Sequence, residues 1–325
     1  MTAVDKALLK AIENVEDKVE TLASGGSITE PGSIKAHSHA ISDVTNLPEK
    51  LNIIETEIVQ LMNKGDSSSS SSGNVTLTSN PFKDKWVSIL GDDVSTYTWY
   101  IPQGNDTFYP TSDVDSVSKI WWHLLLSKLG AKLCVNDSYT NRTIMGEDER
   151  SARKGVENLG RKKGQTYINL DGKTEEATED VKPDIILVQL GTHDFHVGSE
   201  LGTAIKSAQT MSVTTDFYNT LYSLTVILIN LYPNAQIYWL DSTYSNYYNL
   251  LGENPKNVYQ SDYAWAITEN ARLFGCNVIH TSRIGVNANN IKDNTTDDKW
   301  HPKALMMRKI ANQCYHEMTA SNCFD

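Results

Sequence analysis

Short apolar runs alternate with helical stretches through most of this chain, and that alternation limits the fold more than any other feature. The apolar runs are residues 87–90, 132–135, 184–190, 235–240 and 277–280. The helical stretches between and after them are residues 116–129, 214–231, 261–274 and 302–319. Strands that alternate with helices predict a parallel sheet covered on both faces by helices. The predicted fold class is therefore α/β with three layers.

The first apolar run leads into a turn that is rich in acidic and hydroxyl residues. Residues 87–90 read Val-Ser-Ile-Leu, and residues 91–95 continue as Gly-Asp-Asp-Val-Ser. In doubly wound sheets, ligands bind at the carboxyl ends of the strands. The side chains that follow Gly91, Asp93 among them, are therefore expected at the functional edge of the sheet.

Composition excludes several classes of partner. The 325-residue chain has 29 Lys and Arg against 40 Asp and Glu, a formal net charge of −11, and no basic run. Duplex nucleic acid is not an expected partner, because its binding needs clustered positive charge. No apolar run is long enough to span a membrane, and no leader of the usual basic-then-apolar type is visible, so neither membrane insertion nor ordinary secretion is expected.

Four dispersed blocks resemble those of the SGNH (GDSL-like) hydrolases. They are Gly-Asp-Asp-Val-Ser at 91–95, Asn-Asp-Ser-Tyr-Thr-Asn at 136–141, Gly-Thr-His-Asp at 191–194 and Asp-Lys-Trp-His-Pro at 298–302. The resemblance covers residues 85–319 and implies the flavodoxin-like fold of that family, with no required cofactor. It places the site positions of the family at Asp93, Asn141, His193, Asp298 and His301.

Three of these positions depart from the family pattern. Asp93 stands where the family has its serine nucleophile, Asn141 stands at an oxyanion glycine, and His193 stands at an oxyanion asparagine. Asp298 and His301 match the orienting acid and the base. This design needs a hydroxyl that the histidine can deprotonate, with donors aimed at the developing oxyanion. Because Asp93 lacks that hydroxyl, the resemblance implies a domain that has lost esterase activity.

Two routes to activity stay open at this point. Ser95, two residues further along the predicted turn, could replace the missing nucleophile. Alternatively, the carboxylate of Asp93 could attack directly, as aspartates do in other hydrolases, with His301 activating the water. Loss of activity is the preferred interpretation over both.

Asp93, His193 and His301 are expected to converge, and two arrangements suit them. Two imidazoles and one carboxylate are a suitable donor set for zinc or another divalent ion. In the preferred arrangement, Asp93 instead forms a charged hydrogen bond with one or both histidines and no metal binds. In either case Asp93 should raise the pKa of a neighbouring histidine, because it stabilises the imidazolium.

The N-terminal quarter predicts a stalk. Apolar residues recur at spacings of 4, 3, 4 and 3 over residues 8–22 and again over 47–61. These are heptad seams, and isoleucine at both seam positions of the second favours a trimer. The predicted domains are a coiled-coil helix with linker at 1–32, a second segment at 33–64, a Ser-rich linker at 65–74 and the SGNH-like domain at 75–325.

Residues 36–47 read Ala-His-Ser-His-Ala-Ile-Ser-Asp-Val-Thr-Asn-Leu and resemble a segment of bacteriophage tail-fibre proteins. In some trimeric fibres of this kind, His-x-His pairs gather a metal ion on the axis, which would make His37 and His39 ligands. Packing between chains without metal is equally compatible with this spacing. The resemblance implies a homotrimer in the virion, assembled in the bacterial cytoplasm, joined to other tail or baseplate proteins through its N-terminus and acting outside the cell.

Aromatic residues suggest the ligand of such a fibre. Tyr97, Trp99 and Tyr100 follow the first block, and Tyr244 follows a later strand. Flat aromatic faces suit sugar rings, whereas core packing is the alternative for most of them. The predicted function is binding of a host surface polysaccharide without hydrolysis. An active carbohydrate esterase (deacetylase) acting on capsule or cell wall is the main alternative, and a baseplate component with a filled cleft is the other.

Overall fold

The computed structural model describes residues 80–146, 148–204, 216–249 and 251–320. The strands of these ranges are β1 (Trp86–Gly91), β2 (Lys132–Ser138), β3 (Thr166–Ile168), β4 (Thr174–Glu176), β5 (Ile185–Gln189), β6 (Gln236–Leu240) and β7 (Asn277–Ile279). Their α-helices are α1 (Trp121–Leu129), α2 (Ala152–Val156), α3 (Thr192–Val197), α4 (Phe217–Leu231), α5 (Gln260–Leu273), α6 (Ile291–Asn294) and α7 (Ala304–Ala320).

Five parallel strands form the central sheet, in the order β2-β1-β5-β6-β7. Numbered along the chain, the strands of this sheet run 2-1-3-4-5, which is the flavodoxin-like order. The direction of winding reverses between β1 and β5, and ligands of such sheets bind at the carboxyl ends of the strands at this switch point. Gly91 and Gln189 are register partners at those ends. The topology therefore places a site beside them.

Alternate side chains of the sheet enter two separate cores, because successive residues of a strand face opposite sides. Ile185 and Leu187 of β5 share a core with α1 and α7. Ile186 and Val188 of the same strand share the other core with α2, α4 and α5. The predicted three-layer α/β architecture is confirmed.

Local chemistry explains the bounds of the main helices. Helix α4 begins after Asp216, whose Oδ1 accepts a hydrogen bond from the backbone N–H of Asn219 at 2.9 Å. It ends at Leu231, two residues before Pro233, which cannot continue a helix. The helix predicted over 116–129 starts later than expected. Ser116 instead caps a short 3₁₀ turn over Val117–Lys119, and α1 begins only at Trp121.

The β3–β4 hairpin was not predicted from the sequence, and it is connected to β2, the strand at one edge of the central sheet. Arg161 makes the connection, donating from Nε to the carbonyl of Cys134 at 2.8 Å and from Nη2 to that of Leu133 at 2.7 Å. Its guanidinium lies 4.6 Å from the ring centroid of Trp86 and pairs with Glu175 of β4. One buried arginine thus attaches the hairpin to the sheet.

The heptad segments, the pair His37 and His39, and the Ser-rich linker lie outside the described residues. The stalk, the trimer and the N-terminal metal site therefore stay predictions. Among the helices that the structure describes, none combines the length and apolar character needed to cross a membrane.

Candidate active site

Asp93 lies just beyond the carboxyl end of β1, at the switch point of the sheet. Gly91 permits the tight turn there, since a Cβ atom at this position would come within 2.5 Å of Ser95. Asp92 caps the turn by accepting the backbone N–H of Val94 on Oδ1 at 3.1 Å. The turn leaves Asp93 only 1 % exposed, so its carboxylate depends on partners supplied by the protein.

The first partner of Asp93 is Asn141. Its backbone N–H donates to Asp93 Oδ2 at 2.7 Å. Asn141 has a φ of 62°, in the left-handed region that favours glycine and that asparagine tolerates. The residue retains the backbone conformation expected of an oxyanion glycine. Its N–H, however, is bound to the carboxylate of Asp93 instead of facing an open position for a substrate oxygen.

The second partner is His301, which lies between two carboxylates. Its Nε2 faces Asp93 Oδ1 at 3.4 Å, and its Nδ1 faces Asp298 Oδ2 at 2.5 Å. Thr296 orients Asp298 by donating from Oγ1 to Asp298 Oδ1 at 2.7 Å. Ionised carboxylates only accept hydrogen bonds, so both ring nitrogens can donate only in the imidazolium form. The geometry thus favours a positively charged His301.

The pKa shifts follow from these contacts. Burial lowers the pKa of His301, but the hydrogen bonds and charges of Asp298 and Asp93 outweigh it and raise the pKa above 6.5. Burial raises the pKa of Asp298, but the hydrogen bonds from His301 and Thr296 hold it well below its usual range. The prediction that Asp93 raises the pKa of a neighbouring histidine is confirmed for His301. An imidazolium has no free lone pair and cannot act as a general base.

Replacing Asp93 with asparagine should lower the pKa of His301, because the substitution removes one of the two charges that stabilise the imidazolium. NMR titration of the imidazole should give a midpoint above 6.5 in the wild type and a lower one in Asp93→Asn. A raised folded-state pKa stabilises the fold fully below pH 6.5, and that stabilisation is lost as pH rises through the folded-state value. An unchanged midpoint would show that Asp93 and His301 are not coupled.

Two aromatic rings hold the imidazole of His301 from both sides. The ring of Phe108 stacks on it with centroids 3.4 Å apart and an interplanar angle of 5°. Trp300 lies against it with centroids 3.5 Å apart. The Tyr109 hydroxyl donates to the carbonyl of Pro302 at 2.7 Å and secures the same loop. His301 is therefore fixed in the orientation that faces Asp93.

Ser95 does not serve as a replacement nucleophile, so that alternative is wrong. It is fully buried, and its Oγ donates to Gln189 Oε1 at 2.9 Å and accepts from Trp121 Nε1 at 3.1 Å. The indole of Trp122 donates to the Ser95 carbonyl at 2.9 Å. The hydroxyl belongs to the hydrogen-bond network behind the turn, where no substrate can reach it.

The three-residue metal site is not formed. No group of three or more His, Cys, Asp or Glu within the described ranges is arranged to hold a metal ion. The two carboxylate oxygens of Asp93 are instead paired with Asn141 and His301. This is the metal-free arrangement of hydrogen bonds that the sequence favoured. Burial lowers the pKa of His193, although the charge of Asp93 opposes this, so His193 differs from His301. Its Nδ1 has no hydrogen-bond partner in the described part of the protein.

Helix α3 carries two further residues that sequence reasoning missed. Asp194 is fully buried and accepts the backbone N–H groups of Ile144 and Met145 at 2.8 and 2.9 Å, while burial raises its pKa to about 6. His196 packs against Trp300 with ring centroids 4.4 Å apart, and burial lowers its pKa to about 3. The signal available for His196 was its spacing of three residues from His193, which puts both on one helix face.

The structure separates the aromatic residues that were predicted to bind ligand. Trp99 and Tyr100 line one cavity, and Tyr244 lines another, together with Trp265 and Arg272. Tyr97 is half-buried and donates its hydroxyl hydrogen to the carbonyl of Asp115 at 3.0 Å. Neither cavity is lined by Asp93, His193 or His301. The catalytic positions and the two cavities lined by aromatic residues are therefore three separate places.

Solved structures of other proteins share this fold. A protein from Bacteroides ovatus described as a GDSL-like lipase is 24% identical, with a TM-score of 0.53 over 73% of this chain and 99% of its own. One from Bacteroides uniformis with the same description is 23% identical, with a TM-score of 0.50 over 73% and 96%. A protein from Lactobacillus plantarum is 16% identical, with a TM-score of 0.53 over 74% and 98%. At these identities the likeness establishes the fold alone.

The sequence itself establishes the family. Among curated proteins, no match was found. The model of the family described as GDSL-like Lipase/Acylhydrolase matches residues 85–249, about half of the chain, and includes the positions of Asp93, Asn141 and His193. This chain therefore belongs to the GDSL-like lipase/acylhydrolase family.

Proposed function

We propose that this protein is a bacteriophage tail-fibre or baseplate subunit whose GDSL-like domain binds a host cell-surface glycan without hydrolysing it. The proposed loss of hydrolysis rests on one observation, which is that both carboxylate oxygens of Asp93 already have partners within the protein. One accepts the N–H of Asn141 at 2.7 Å, and the other faces His301 at 3.4 Å. Asp93, at the nucleophile position, is thus bound both to the oxyanion donor Asn141 and to the base His301. GDSL-like hydrolases generally need no cofactor, and the proposal requires none.

The tail-fibre context rests on the N-terminal sequence. The fibre-like string at residues 36–47 is flanked by two heptad seams, a pattern suited to a trimeric stalk. On this proposal the stalk joins other tail or baseplate proteins, and the virion carries the GDSL-like domain to the host surface. Light scattering on the full-length chain should give the mass of three copies, and a monomer would overturn the trimer.

Binding without turnover is measurable directly. The full-length protein is incubated with an O-acetylated bacterial capsular polysaccharide, and both the bound fraction and the released acetate are determined. We expect saturable binding with acetate release no greater than in a protein-free control, because Asp93 offers no hydroxyl for acyl transfer. If no capsular or cell-wall polysaccharide binds, the glycan proposal fails. If acetate is released and His301→Ala stops the release, the domain is an esterase.

The second candidate function is an active carbohydrate esterase. It is favoured by the intact pair of His301 and Asp298, whose 2.5 Å contact is the arrangement that an active base requires. In this version the carboxylate of Asp93 would attack the acyl carbon to form a mixed anhydride, the ester C–O bond would break, and the protonated His301 would give its proton to the departing sugar oxygen. The neutral His301 would then activate the water that hydrolyses the anhydride and regenerates the carboxylate. Acetate release separates the two candidates.

A further inference from the structure

One cavity of the structure has a volume of about 820 Å³ and is not lined by Asp93 or His301. We call this cavity the groove. Residues 98–107 form one wall, the edge of β2 at 133–136 forms the floor, and residues 158–168 with strand β3 form the other wall. We propose that this groove is the glycan-binding site of the domain, and that it takes a weakly charged oligosaccharide that stacks on Trp99. The inference rests on the proposed function and gives it a location outside the family's catalytic cleft.

Trp99 is the central observation. Its side chain is 79 % exposed and lines the groove. Its φ of 75° lies in the left-handed region, which is costly for a large side chain. The backbone N–H of Tyr100 donates to the carbonyl of Tyr97 at 3.0 Å, so Trp99 occupies the third position of a turn where glycine is usual. Strain of this kind at an exposed aromatic residue suggests that the ring has a function.

The wall that presents Trp99 is held in place before any ligand arrives. Thr98 donates its backbone N–H to the carbonyl of Tyr109 at 3.1 Å, and the Asn105 amide donates to that of Ser138 at 3.0 Å. The ring of Tyr100 packs on the buried ring of Trp122. Its hydroxyl oxygen lies so close to Gly172 that a Cβ atom added there would be only 3.0 Å from it. Tyr100 thus reaches from this wall to the turn between β3 and β4. A preformed wall lowers the entropy cost of binding.

The lining chemistry suits sugars with little charge. Lys162 is the one charged residue among the described residues that line the groove. The side-chain amides of Gln103, Asn105, Asn158 and Gln165 line the groove, and the donors and acceptors that they do not use within the protein match hydroxyl and acetamido groups. Tyr167 adds a third aromatic ring, after Trp99 and Tyr100, on the wall that includes β3. The volume falls in the upper part of the usual range for ligand pockets, about 300–1,000 Å³, so an oligosaccharide fits.

The probe is an immobilised panel of purified bacterial surface polysaccharides that are neutral, N-acetylated or acidic. The full-length wild type is compared with Trp99→Ala and with Trp265→Ala, a comparison variant on α5 whose ring is 56 % exposed and lines the other cavity instead of the groove. We expect the neutral or N-acetylated members to bind best. Trp99→Ala should weaken that binding by about tenfold or more, and Trp265→Ala should leave it within about twofold.

A second variant separates binding from folding. Trp99→Gly relieves the left-handed strain, so its melting temperature should equal or exceed that of the wild type while binding is still lost. If the wild type binds and Trp99→Gly and Trp99→Ala bind equally well, the groove is not the site, although the proposed function stands. If acidic members bind best, the assigned ligand class is wrong. If the wild type binds no member of the panel, the proposed function itself fails.

Discussion

Asp93→Ser should hydrolyse a small acetyl ester about a thousandfold faster than the wild type. Loss of the nucleophile costs serine hydrolases about a millionfold in kcat, and an impaired oxyanion site by itself costs about 10²–10³. These losses are not additive, so the two together still cost about a millionfold. Restoring the hydroxyl should therefore recover about a thousandfold, with the changes at Asn141 and His193 accounting for the remainder. The substitution also frees the N–H of Asn141, which donates to Asp93 in the wild type.

The same substitution changes the state of the base. Without the charge of Asp93, the pKa of His301 falls, and a larger fraction of the imidazole is neutral near pH 7. Asp298 still orients the ring through Nδ1, which leaves Nε2 free to accept the serine proton. Activity of Asp93→Ser should therefore rise with pH through the pKa of His301.

Two controls make this result decisive. Asp93→Ala should stay silent, since it removes the carboxylate without supplying a nucleophile, and Asp93→Ser combined with His301→Ala should lose the gained activity. A wild type that already turns over, and that His301→Ala silences, would contradict the inactive site. A folded Asp93→Ser variant without activity would mean that the cleft lacks more than its hydroxyl.

Asp137→Asn should lower the free energy of unfolding by about 3–5 kcal/mol, which is the usual result of removing one partner from a buried ion pair. Asp137 Oδ1 lies 2.8 Å from Arg142 Nη2, and the two side chains are 3 % and 2 % exposed. Arg142 also donates from Nε to the carbonyl of Arg150 at 2.9 Å and from Nη1 to that of Asp137. The substitution leaves a buried guanidinium without its countercharge.

The matched control is Asp115→Asn, which removes the same charge from an exposed pair with Lys119 on the surface. Its expected effect on the free energy of unfolding is small beside that of Asp137→Asn, because solvent screens such pairs. Urea unfolding of both variants measures the difference. Equal effects of the two substitutions would show that the Arg142 pair does not stabilise the fold. Because Arg142 follows Asn141 directly, Asp137→Asn should also disturb the contact between Asn141 and Asp93.

Most of the fold was predictable because the strands of the sheet are buried on both faces. Residues 184–190 have few polar interruptions, and such a run has few alternatives to a central parallel strand. The β3–β4 hairpin was missed for a related reason. Its strands are three residues long and mostly polar. The residue that attaches it to the sheet, Arg161, belongs to neither strand.

The sequence predicted which residues form the site, but it predicted only some of the contacts between them. Motif positions located Asp93, Asn141 and His301, and the structure joins them by hydrogen bonds. The stacking of Phe108 on His301 was not predictable, because these residues are 193 positions apart and an aromatic residue in a loop carries no signal of its partner. The burial of Ser95 likewise depends on the tryptophans of α1, which only the packed structure brings to it.

The arginine that attaches the hairpin has a consequence for crowded assemblies. An uncovered edge strand can pair with the same strand of another molecule, which is a route to aggregation. Arg161 occupies two carbonyls of the β2 edge, and the strand at the opposite edge, β7, is only three residues long. Both ends of the sheet are thus poor templates for strand addition. Copies of this domain at high local concentration can therefore stay separate folded units.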